Sequence, residues 1–531
     1  MDLRYPAPFR HLIANAYKLT PALMRSSPGL VPANIILLYR TAIRRARPER
    51  CVSMMPSNTI PQAKREGDIS DSFASLSGED QPPLPNRFLD LKRSLVAGHE
   101  DQVIASWRRL LANLQVENSA LAKQGSNVIP SLEFASLEED LARLGPEVKK
   151  RGVAVIRGVI PEKEARAYKP EIEEYVRQNP STRAFPQNNP QVYELYWSSP
   201  QIRARTHANI LKAQSKLMNL WQLSDGESAI SLSQPLAYAD RVRIRQPGDM
   251  TFALGPHVDG GSLERWEKNG YGIGGVYDKV FEGSWEAYNP WDASTRVPVV
   301  MDNYNGLGAC SMFRMFQGWL SMSHTKAFEG TLLVNPLLQY STAYYLLRPF
   351  FRPVRGRGEV SADAYLSADN WVFAGSEMTS ELQGATAGYG QELNTDLHPH
   401  LELDTSMVHI PQVKPGDFVV WHCDTIHAVD KIHEGLSDSS VLYIPICPVT
   451  ERNTQYLVRQ KKAFLDGTPG PDFPGGQGEA RHVNRPTLPY LKVHARADGL
   501  RALGFRKFAP KVQDGPGARR VIKKANEILG L

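Results

Sequence analysis

Cysteine is scarce in this chain. The four cysteines, Cys51, Cys310, Cys423 and Cys447, are too far apart to form a CxxC pair, which excludes a zinc ribbon or a thioredoxin-like motif. A disulfide scaffold is not expected at this length and density, and we predict a reducing, intracellular compartment. Long apolar runs are also missing. Because no stretch of about eighteen apolar residues occurs, we expect no membrane span.

Basic charge is concentrated at the N-terminus. The first 50 residues carry nine Lys and Arg side chains against two acidic ones, whereas the formal charge of the whole chain is only +6. The rest of the chain has no basic excess, which argues against a nucleic-acid partner. We expect a cytoplasmic protein. The Arg-rich, acid-poor N-terminus is typical of a mitochondrial transit peptide, which makes a mitochondrial location the alternative.

Composition divides the chain near residue 84. Residues 1–84 form a basic extension and a Ser- and Pro-rich linker, which we predict to be disordered or a targeting segment. A folded domain is expected over 85–531. Its predicted parts are a mainly helical first region (85–236), a β-rich core (237–450) that includes an aromatic insert (263–300), and a helical C-terminal region (451–531).

Short strands separated by turn signals are predicted for the core region. ADRVRIRQ places Arg241, Arg243 and Arg245 on one face of a strand and apolar residues on the other. EGTLLV, PGDFVVWH and SSVLYIP carry similar strand signals. This succession, between helical regions, predicts an α+β chain with a β-sandwich or barrel at its centre.

A histidine and an aspartate lie two residues apart in GPHVDGGS, at His257 and Asp259. Because alternate residues of a strand point to one side, they can direct an imidazole and a carboxylate at one point. This pair is two-thirds of a 2-His-1-carboxylate metal site. In PGDFVVWHCDTIHAV a turn, a β-prone run and a bend precede His427, which makes it the favoured third ligand. His422, at the end of the run, is the alternative.

The order HxD, GTLLV, GDxVxWHxxxxH resembles the iron(II)/2-oxoglutarate-dependent dioxygenase superfamily. RGVAVIRGVIP is similar to its phytanoyl-CoA hydroxylase branch, and stretches such as FRMFQGWLSMS resemble a bacterial and fungal family of that superfamily over about 85–531. The resemblance implies a double-stranded β-helix (jelly-roll, cupin-like) core flanked by N-terminal and C-terminal helices. It also implies Fe(II) on His257, Asp259 and His427, with 2-oxoglutarate as co-substrate.

The chain departs from that pattern after His427. Relatives often carry an arginine or lysine further on, which pairs with the far carboxylate of 2-oxoglutarate, but KIHEGLSDSSVLYIP contains only Lys431, which is too close. A guanidinium is the natural partner of a carboxylate, because it binds through two N–H groups. The side chains that could take its place are Arg314 in FRMFQGW, then Arg243 and Arg245, and the hydrogen-bonding Ser439 and Ser440.

These patterns predict a non-haem iron(II) dioxygenase that hydroxylates a small molecule, with no catalytic residue beyond the metal ligands. Three protein ligands leave coordination positions open, which fits catalysis better than a structural four-ligand site. The missing arginine supports a second hypothesis, a cupin-like protein that binds a metal or a small acid without turnover.

Overall fold

The computed structural model describes residues 64–78, 80–307 and 309–531. The basic extension, its proposed transit peptide and Cys51 lie outside these residues. The chain divides into two compact units between Ile60 and Pro61, and all described residues belong to the second unit. None of its described helices is both long enough and apolar enough to cross a membrane.

Helices occur before, within and after the predicted core region. They are α1 (Ala74–Ser77), α2 (Arg87–Val96), α3 (Glu100–Gln124), α4 (Leu137–Arg151), α5 (Glu162–Gln178), α6 (Ser199–Thr206), α7 (Ala208–Met218), α8 (Asp278–Phe281), α9 (Leu338–Leu347), α10 (Ala362–Leu366), α11 (Leu403–Ser406), α12 (Glu451–Asp466), α13 (Leu488–His494), α14 (Ala497–Ala502) and α15 (Pro516–Leu529). The long helices α3, α4, α5, α12 and α15 all lie outside the predicted core region, as the composition indicates.

The strands are short. They are β1 (Ser131–Glu133), β2 (Val153–Arg157), β3 (Ala184–Phe185), β4 (Val192–Tyr193), β5 (Ile230–Leu236), β6 (Val242–Arg245), β7 (His257–Val258), β8 (Phe316–Ser321), β9 (Leu332–Val334), β10 (Phe351–Pro353), β11 (Trp371–Phe373), β12 (Gln391–Glu392), β13 (Val408–His409), β14 (Phe418–His422), β15 (His427–Val429), β16 (Ser439–Tyr443) and β17 (Cys447–Thr450).

Two larger sheets contain most of these strands. One has eight strands in the order β1-β2-β14-β8-β16-β6-β4-β3, and the other has five in the order β12-β7-β15-β9-β13. In both sheets neighbouring strands are antiparallel, except for the parallel pair β1 and β2. The pairs β10–β11 and β5–β17 form two further sheets. The protein is therefore a mixed α+β protein with several sheets.

Strand β14 and the turn after it lie against the end of helix α4. All five residues of β14 are buried, in keeping with its apolar run. Gly152 caps the C-terminus of α4 with a φ of +68°. A Cβ atom at this position would lie 2.7 Å from Thr425 Oγ1 and 3.0 Å from Leu338 Cβ. Only glycine permits this approach. The Thr425 hydroxyl donates to the Gly152 carbonyl at 3.0 Å, which fixes the turn between β14 and β15.

The alternating arginines of β6 are enclosed by protein, because β6 lies between β16 and β4 within the larger sheet. Arg245 is fully buried. Its Nε donates to Asp249 Oδ2 at 2.7 Å, and its Nη1 donates to the Asp430 carbonyl at 2.6 Å. A buried charge requires such partners. Arg245 is therefore satisfied within the fold.

Residues 69–77, which the composition assigns to a linker, instead form a 3₁₀ turn at Ile69–Ser72 followed by α1. Ile69 and Phe73 are buried in a cluster with Phe252 and Leu254. The spacing of four residues between Ile69 and Phe73 gives this polar stretch a small apolar face. Average composition conceals that face, and this helical segment lies before the expected boundary near residue 85.

Candidate metal centre

Strands β7 and β15 bring two histidines together that are distant in sequence. His257 lies directly opposite His427 across the antiparallel pair, and their ring centroids are 4.1 Å apart. Opposed residues of antiparallel strands project to the same face. Asp259 Oδ1 lies 3.4 Å from His257 Nε2 and 3.8 Å from His427 Nε2. The structure thus brings together the three residues that the sequence singles out, with their ligand atoms within 4.8 Å of one another.

The Nδ1 atoms of the two imidazoles face backbone carbonyls. His257 Nδ1 lies 2.7 Å from the Gly255 carbonyl oxygen, and His427 Nδ1 lies 3.1 Å from the Thr425 carbonyl oxygen. Because a carbonyl oxygen only accepts, each Nδ1 carries the hydrogen, and the neutral ring has its lone pair on Nε2. Metal-binding histidines are oriented by hydrogen bonds of this kind.

The electrostatic surroundings favour the protonation states that bind metals. Burial lowers the pKa of His427 to about 3, the neighbouring His257 adds to this effect, and Asp259 opposes it. Burial alone raises the pKa of Asp259, but its contact with the His257 imidazole and the neighbouring His427 and Arg314 hold that pKa well below its usual range. Neutral imidazole and ionised carboxylate are the forms that ligate a metal.

The fit of a metal to these residues follows from the direction of their acceptors. Two imidazole nitrogens and one carboxylate oxygen lie within 4.8 Å of one another, and acceptors brought this close repel one another unless a metal ion or a proton lies between them. The donor set of two imidazoles and a carboxylate suits iron(II) and leaves part of a coordination sphere open. The three side chains can therefore hold a metal ion.

The cavity at this centre lies between the two larger sheets. It is lined by β6, β8, β14 and β16 on one side and by β7, β9 and β15 on the other, together with the segment 69–73. Its charged lining is predominantly cationic, since three arginines, Arg241, Arg243 and Arg314, accompany two aspartates. Such a cavity favours anionic ligands.

Arg243 reaches this cavity from β6 and is 2% exposed. Its Nη2 donates to the Gly330 carbonyl at 3.1 Å and lies 3.5 Å from Ser439 Oγ, but its Nε has no hydrogen-bond partner among the described residues. Burial lowers the pKa of this guanidinium, and the more distant Asp430 and Asp249 oppose the effect. Arg243 also faces Val441 of β16, the strand on which the resemblance leads one to expect the arginine.

Arg314 lies just before β8 and contacts the carboxylate of the triad. Its Nη2 is 3.5 Å from Asp259 Oδ2, and its guanidinium lies over the ring of Tyr238 at 5.4 Å. The other carboxylate oxygen, Oδ1, faces the two histidines. Arg314 thus orients Asp259, and among the candidate arginines Arg243 is the one with the least internal compensation.

Two of the candidate cofactor-binding residues are not at the cavity. Arg245 is directed to Asp249 and to backbone carbonyls. Ser440 lies on the face of β16 opposite to that of Val441, away from the cavity. Its hydroxyl donates to Asp438. His422, the alternative ligand, is also remote from the triad, since its Nε2 lies 2.9 Å from the Pro290 carbonyl oxygen.

Two aromatic residues at the centre are not among the site residues predicted from the sequence. The Trp421 ring lies 5.0 Å from that of His427, and its Nε1 has no hydrogen-bond partner among the described residues. The Phe73 ring meets His257 edge-on at 4.7 Å. Strand alternation in DFVVWH is a signal that could have identified Trp421. By contrast, the insert aromatics are buried in the core and do not line the cavity described here: Trp266, Tyr271, Tyr277, Phe281, Trp285, Tyr288 and Trp291.

These features define an α+β protein with a His-Asp-His centre capable of holding a metal, in a cavity between two antiparallel β-layers. The chain belongs to the Gig2-like family, whose sequence profile matches residues 82–505.

Three relatives are similar over most of their length. The Escherichia coli K12 protein YbiU is 33% identical over 451 residues, which are 82% of this chain and 100% of YbiU. The Candida albicans protein GlcNAc Inducible Gene 2 has a crystal structure that superposes with a TM-score of 0.73 at 31% identity, covering 85% of this chain and 96% of that one. A Salmonella typhimurium LT2 structure, described as a candidate oxidoreductase, gives a TM-score of 0.67 at 29% identity, covering 80% and 99%.

Proposed function

We propose that this protein is an iron(II)- and 2-oxoglutarate-dependent oxygenase that hydroxylates a small molecule. The convergence of His257 Nε2, His427 Nε2 and Asp259 Oδ1 within 4.8 Å is the observation that carries the proposal. Two histidines and one carboxylate on one side of a metal are the ligand set of non-haem iron(II) oxygenases. The Salmonella relative, described as a candidate oxidoreductase, agrees with this class of reaction.

The succession of strands supports a double-stranded β-helix as the core. From β6 to β9, successive strands alternate between the eight-stranded and the five-stranded sheet, and from β13 to β16 they alternate again. A chain that passes back and forth between two antiparallel layers is the defining feature of a jelly-roll. This arrangement also explains how His257 and His427 come to lie on neighbouring strands.

Arg243 is our candidate for the far carboxylate of 2-oxoglutarate. Its guanidinium is buried in the cavity wall with an unpartnered Nε, and an uncompensated buried cation favours an anionic ligand. Trp421 offers a second unpartnered donor, its Nε1, on the same wall. In this proposal β6 supplies the basic group that members of the iron(II)/2-oxoglutarate-dependent dioxygenase superfamily often carry on the strand after the distal histidine.

The other cavity residues would serve orientation and water exclusion. Arg314 would keep Asp259 Oδ2 occupied, so that Oδ1 faces the metal position. Leu332, Val429 and Trp421 would keep water away from the reacting atoms. Iron(II) and 2-oxoglutarate, when bound, supply the oxidative chemistry, in which O₂ is consumed, 2-oxoglutarate becomes succinate and CO₂, and a substrate C–H bond is hydroxylated.

An anaerobic iron(II) titration followed by an aerobic succinate assay tests the proposal. Wild type should bind one iron per chain and release succinate when 2-oxoglutarate and O₂ are present, whereas His257→Ala and His427→Ala should do neither. Iron binding by both variants as in wild type would show that these residues are not the ligands. Iron binding by wild type without succinate release would favour the alternative, a cupin-like protein that binds a metal or small acid without turnover.

A further inference from the structure

A segment that precedes the family region forms part of the candidate centre. The family profile begins at residue 82, yet Ile69, Ser72 and Phe73 line the same cavity as the triad. Phe73 is 7% exposed, and its ring meets the imidazole of His257 edge-on with centroids 4.7 Å apart. The N-terminal segment (64–78) therefore covers a metal-ligand candidate directly.

Hydrogen bonds hold this segment against the strand next to His257. The Ser72 carbonyl accepts from the Gly390 N–H at 3.0 Å. The Ser75 N–H donates to Glu392 Oε2 at 3.1 Å, and Glu392 belongs to β12, which pairs with β7. Lys64 Nζ donates to two backbone carbonyls at 2.8 and 2.9 Å. With anchors at both ends, the segment has a defined position relative to the triad.

The two sides of the cavity differ in chemistry. Ile69 and Phe73 form an apolar wall with Leu254 and Val429. The Ser72 hydroxyl is enclosed on the same wall and has no hydrogen-bond partner among the described residues. Enclosed hydroxyl groups are normally paired, so an unpaired one at a cavity favours a bound ligand as its partner.

The opposite wall carries guanidinium groups beside carboxylates. Arg241 and Arg314 line it over the rings of Phe473 and Tyr238, next to Asp240 and Asp259. Arg241 Nη1 lies 3.5 Å from Glu194 Oε1 but has no hydrogen-bond partner among the described residues, so it can donate to an anionic group. A molecule that spans the cavity would meet apolar surface and one hydroxyl on one side and guanidinium groups on the other. This combination fits a small organic acid with an apolar portion.

We propose that the N-terminal segment is the substrate-facing wall of the centre, in which Phe73 controls access to His257 and Ser72 hydrogen-bonds a small organic acid as substrate. The proposal rests on the proposed function for the reaction, but not for the covering of His257. Substrate choice is then set partly by residues outside the region that the family profile describes.

Chemical modification of the full-length, metal-free protein tests the covering by Phe73. Diethyl pyrocarbonate should modify His257 on the order of tenfold faster in Phe73→Ala than in wild type, because an enclosed nitrogen reacts only through its open population. Leu76→Ala is the matched control, since Leu76 is on the same segment but 38% exposed. Peptide mass spectrometry would give the rates, with the exposed His324 as internal reference and the buried His422 as a reporter of unfolding.

Equal His257 rates in wild type and Phe73→Ala would overturn the covering role. Reaction of His422 in Phe73→Ala would indicate unfolding, and in that case Phe73→Leu must give an intermediate rate without reaction of His422. Because this arm requires no metal, its result stands even if iron binding fails.

Substrate choice is tested with iron-loaded protein and a panel of carboxylic acids with apolar chains of increasing bulk. Some acids should stimulate succinate release by wild type, and Phe73→Ala should extend the response to bulkier acids. Ser72→Ala should raise KM about fivefold at unchanged kcat, the loss expected for one hydrogen bond. Iron binding without stimulation by any acid, or identical profiles for wild type and both variants, would overturn the substrate assignment.

Discussion

Two groups of His, Cys and Asp residues in the described part of the chain have ligand atoms close enough to share a metal, and they differ in what surrounds them. The open group consists of His257, Asp259 and His427, whose Nε2 atoms face a carboxylate oxygen at 3.4 and 3.8 Å. The closed group is 422–424, a histidine, a cysteine and an aspartate in sequence. Residue type and proximity alone would rank the two groups equally.

In the closed group the hydrogen-bonding capacity is already used. Asp424 accepts from Arg265 Nη1 at 2.8 Å, from the Tyr277 hydroxyl at 3.0 Å and from the Tyr288 hydroxyl at 3.1 Å, and it also pairs with Arg296. Its carboxylate therefore neutralises buried arginines.

The other two members of the closed group are equally unsuited to ligation. His422 Nδ1 accepts the Asp424 N–H at 3.0 Å, and its Nε2 contacts a backbone carbonyl at 2.9 Å. Burial raises the pKa of the Cys423 thiol to about 12, so the thiolate that a metal requires is disfavoured. The comparison teaches that unsatisfied acceptors, rather than residue types, distinguish a site from a structural network.

The largest expected effect is on metal binding. His427→Gln should reduce iron(II) or cobalt(II) binding from one ion per chain to none, because it removes a ligand of the open group. His422→Gln should still bind one ion, since the closed group contributes nothing to ligation. Equilibrium dialysis with metal analysis measures both. Loss of binding in His422→Gln alone would reverse the roles of the two groups.

The next effect is on the stability of the metal-free protein. Asp424→Asn should lower the free energy of unfolding by about 3–5 kcal/mol, since it leaves Arg265 and Arg296 buried without a carboxylate. Asp259→Asn should lower it by less than Asp424→Asn does, because the Asp259 side chain is 28% exposed and its ionic contacts are 3.4 Å or longer. Urea unfolding measures the two values, and equal losses would contradict the distinction.

A smaller effect concerns Arg243 beside the open group, whose Nε has no hydrogen-bond partner among the described residues. Arg243→Gln should weaken 2-oxoglutarate binding to the iron-loaded protein by about 1.5–3 kcal/mol, the range for hydrogen bonds to charged groups. Iron affinity should not change. Arg245→Gln is the matched control on the same strand and should destabilise the fold while the folded protein keeps its 2-oxoglutarate affinity. Calorimetric titration gives these values, and an unchanged 2-oxoglutarate affinity in Arg243→Gln would exclude Arg243 from this role.

The smallest effect is the pH dependence of the closed group. Burial lowers the pKa of His422 from 6.5 to about 3, with Arg296 adding to the effect and Asp424 opposing it. Below pH 6.5 the unfolded chain therefore binds a proton that the folded chain does not, and stability falls as the pH falls from 6.5 towards 3. One such proton contributes a slope of about 1.4 kcal/mol per pH unit. His422→Gln should reduce the slope of the unfolding free energy between pH 6 and 4 by this amount.

Local patterns in the sequence are sufficient for the helices and for the shortlist of ligands. Apolar residues recur at helical spacing before and after Gly98, and the structure has a helix on each side of it, since α2 ends at Val96 and α3 begins at Glu100. Strand alternation correctly indicates that His257 and Asp259 share a face, because that relation spans only two residues.

Relations between distant strands decide the rest of the site. The pairing of β15 with β7 decides that His427, rather than His422, lies opposite His257. Arg243 faces the cavity, whereas Arg245 on the same strand forms an ion pair with Asp249. That ion pair depends on the turn after β6. The role of Phe73 depends on how a segment of polar composition packs onto β12. No local periodicity encodes these contacts.

A crystal structure of the protein grown anaerobically with iron(II) and 2-oxoglutarate tests the central claim most directly. We expect one anomalous peak bonded to His257 Nε2, His427 Nε2 and an oxygen of Asp259, with the far carboxylate of 2-oxoglutarate on Arg243. A peak at 422–424, or a metal bound without the two Nε2 atoms, would contradict it.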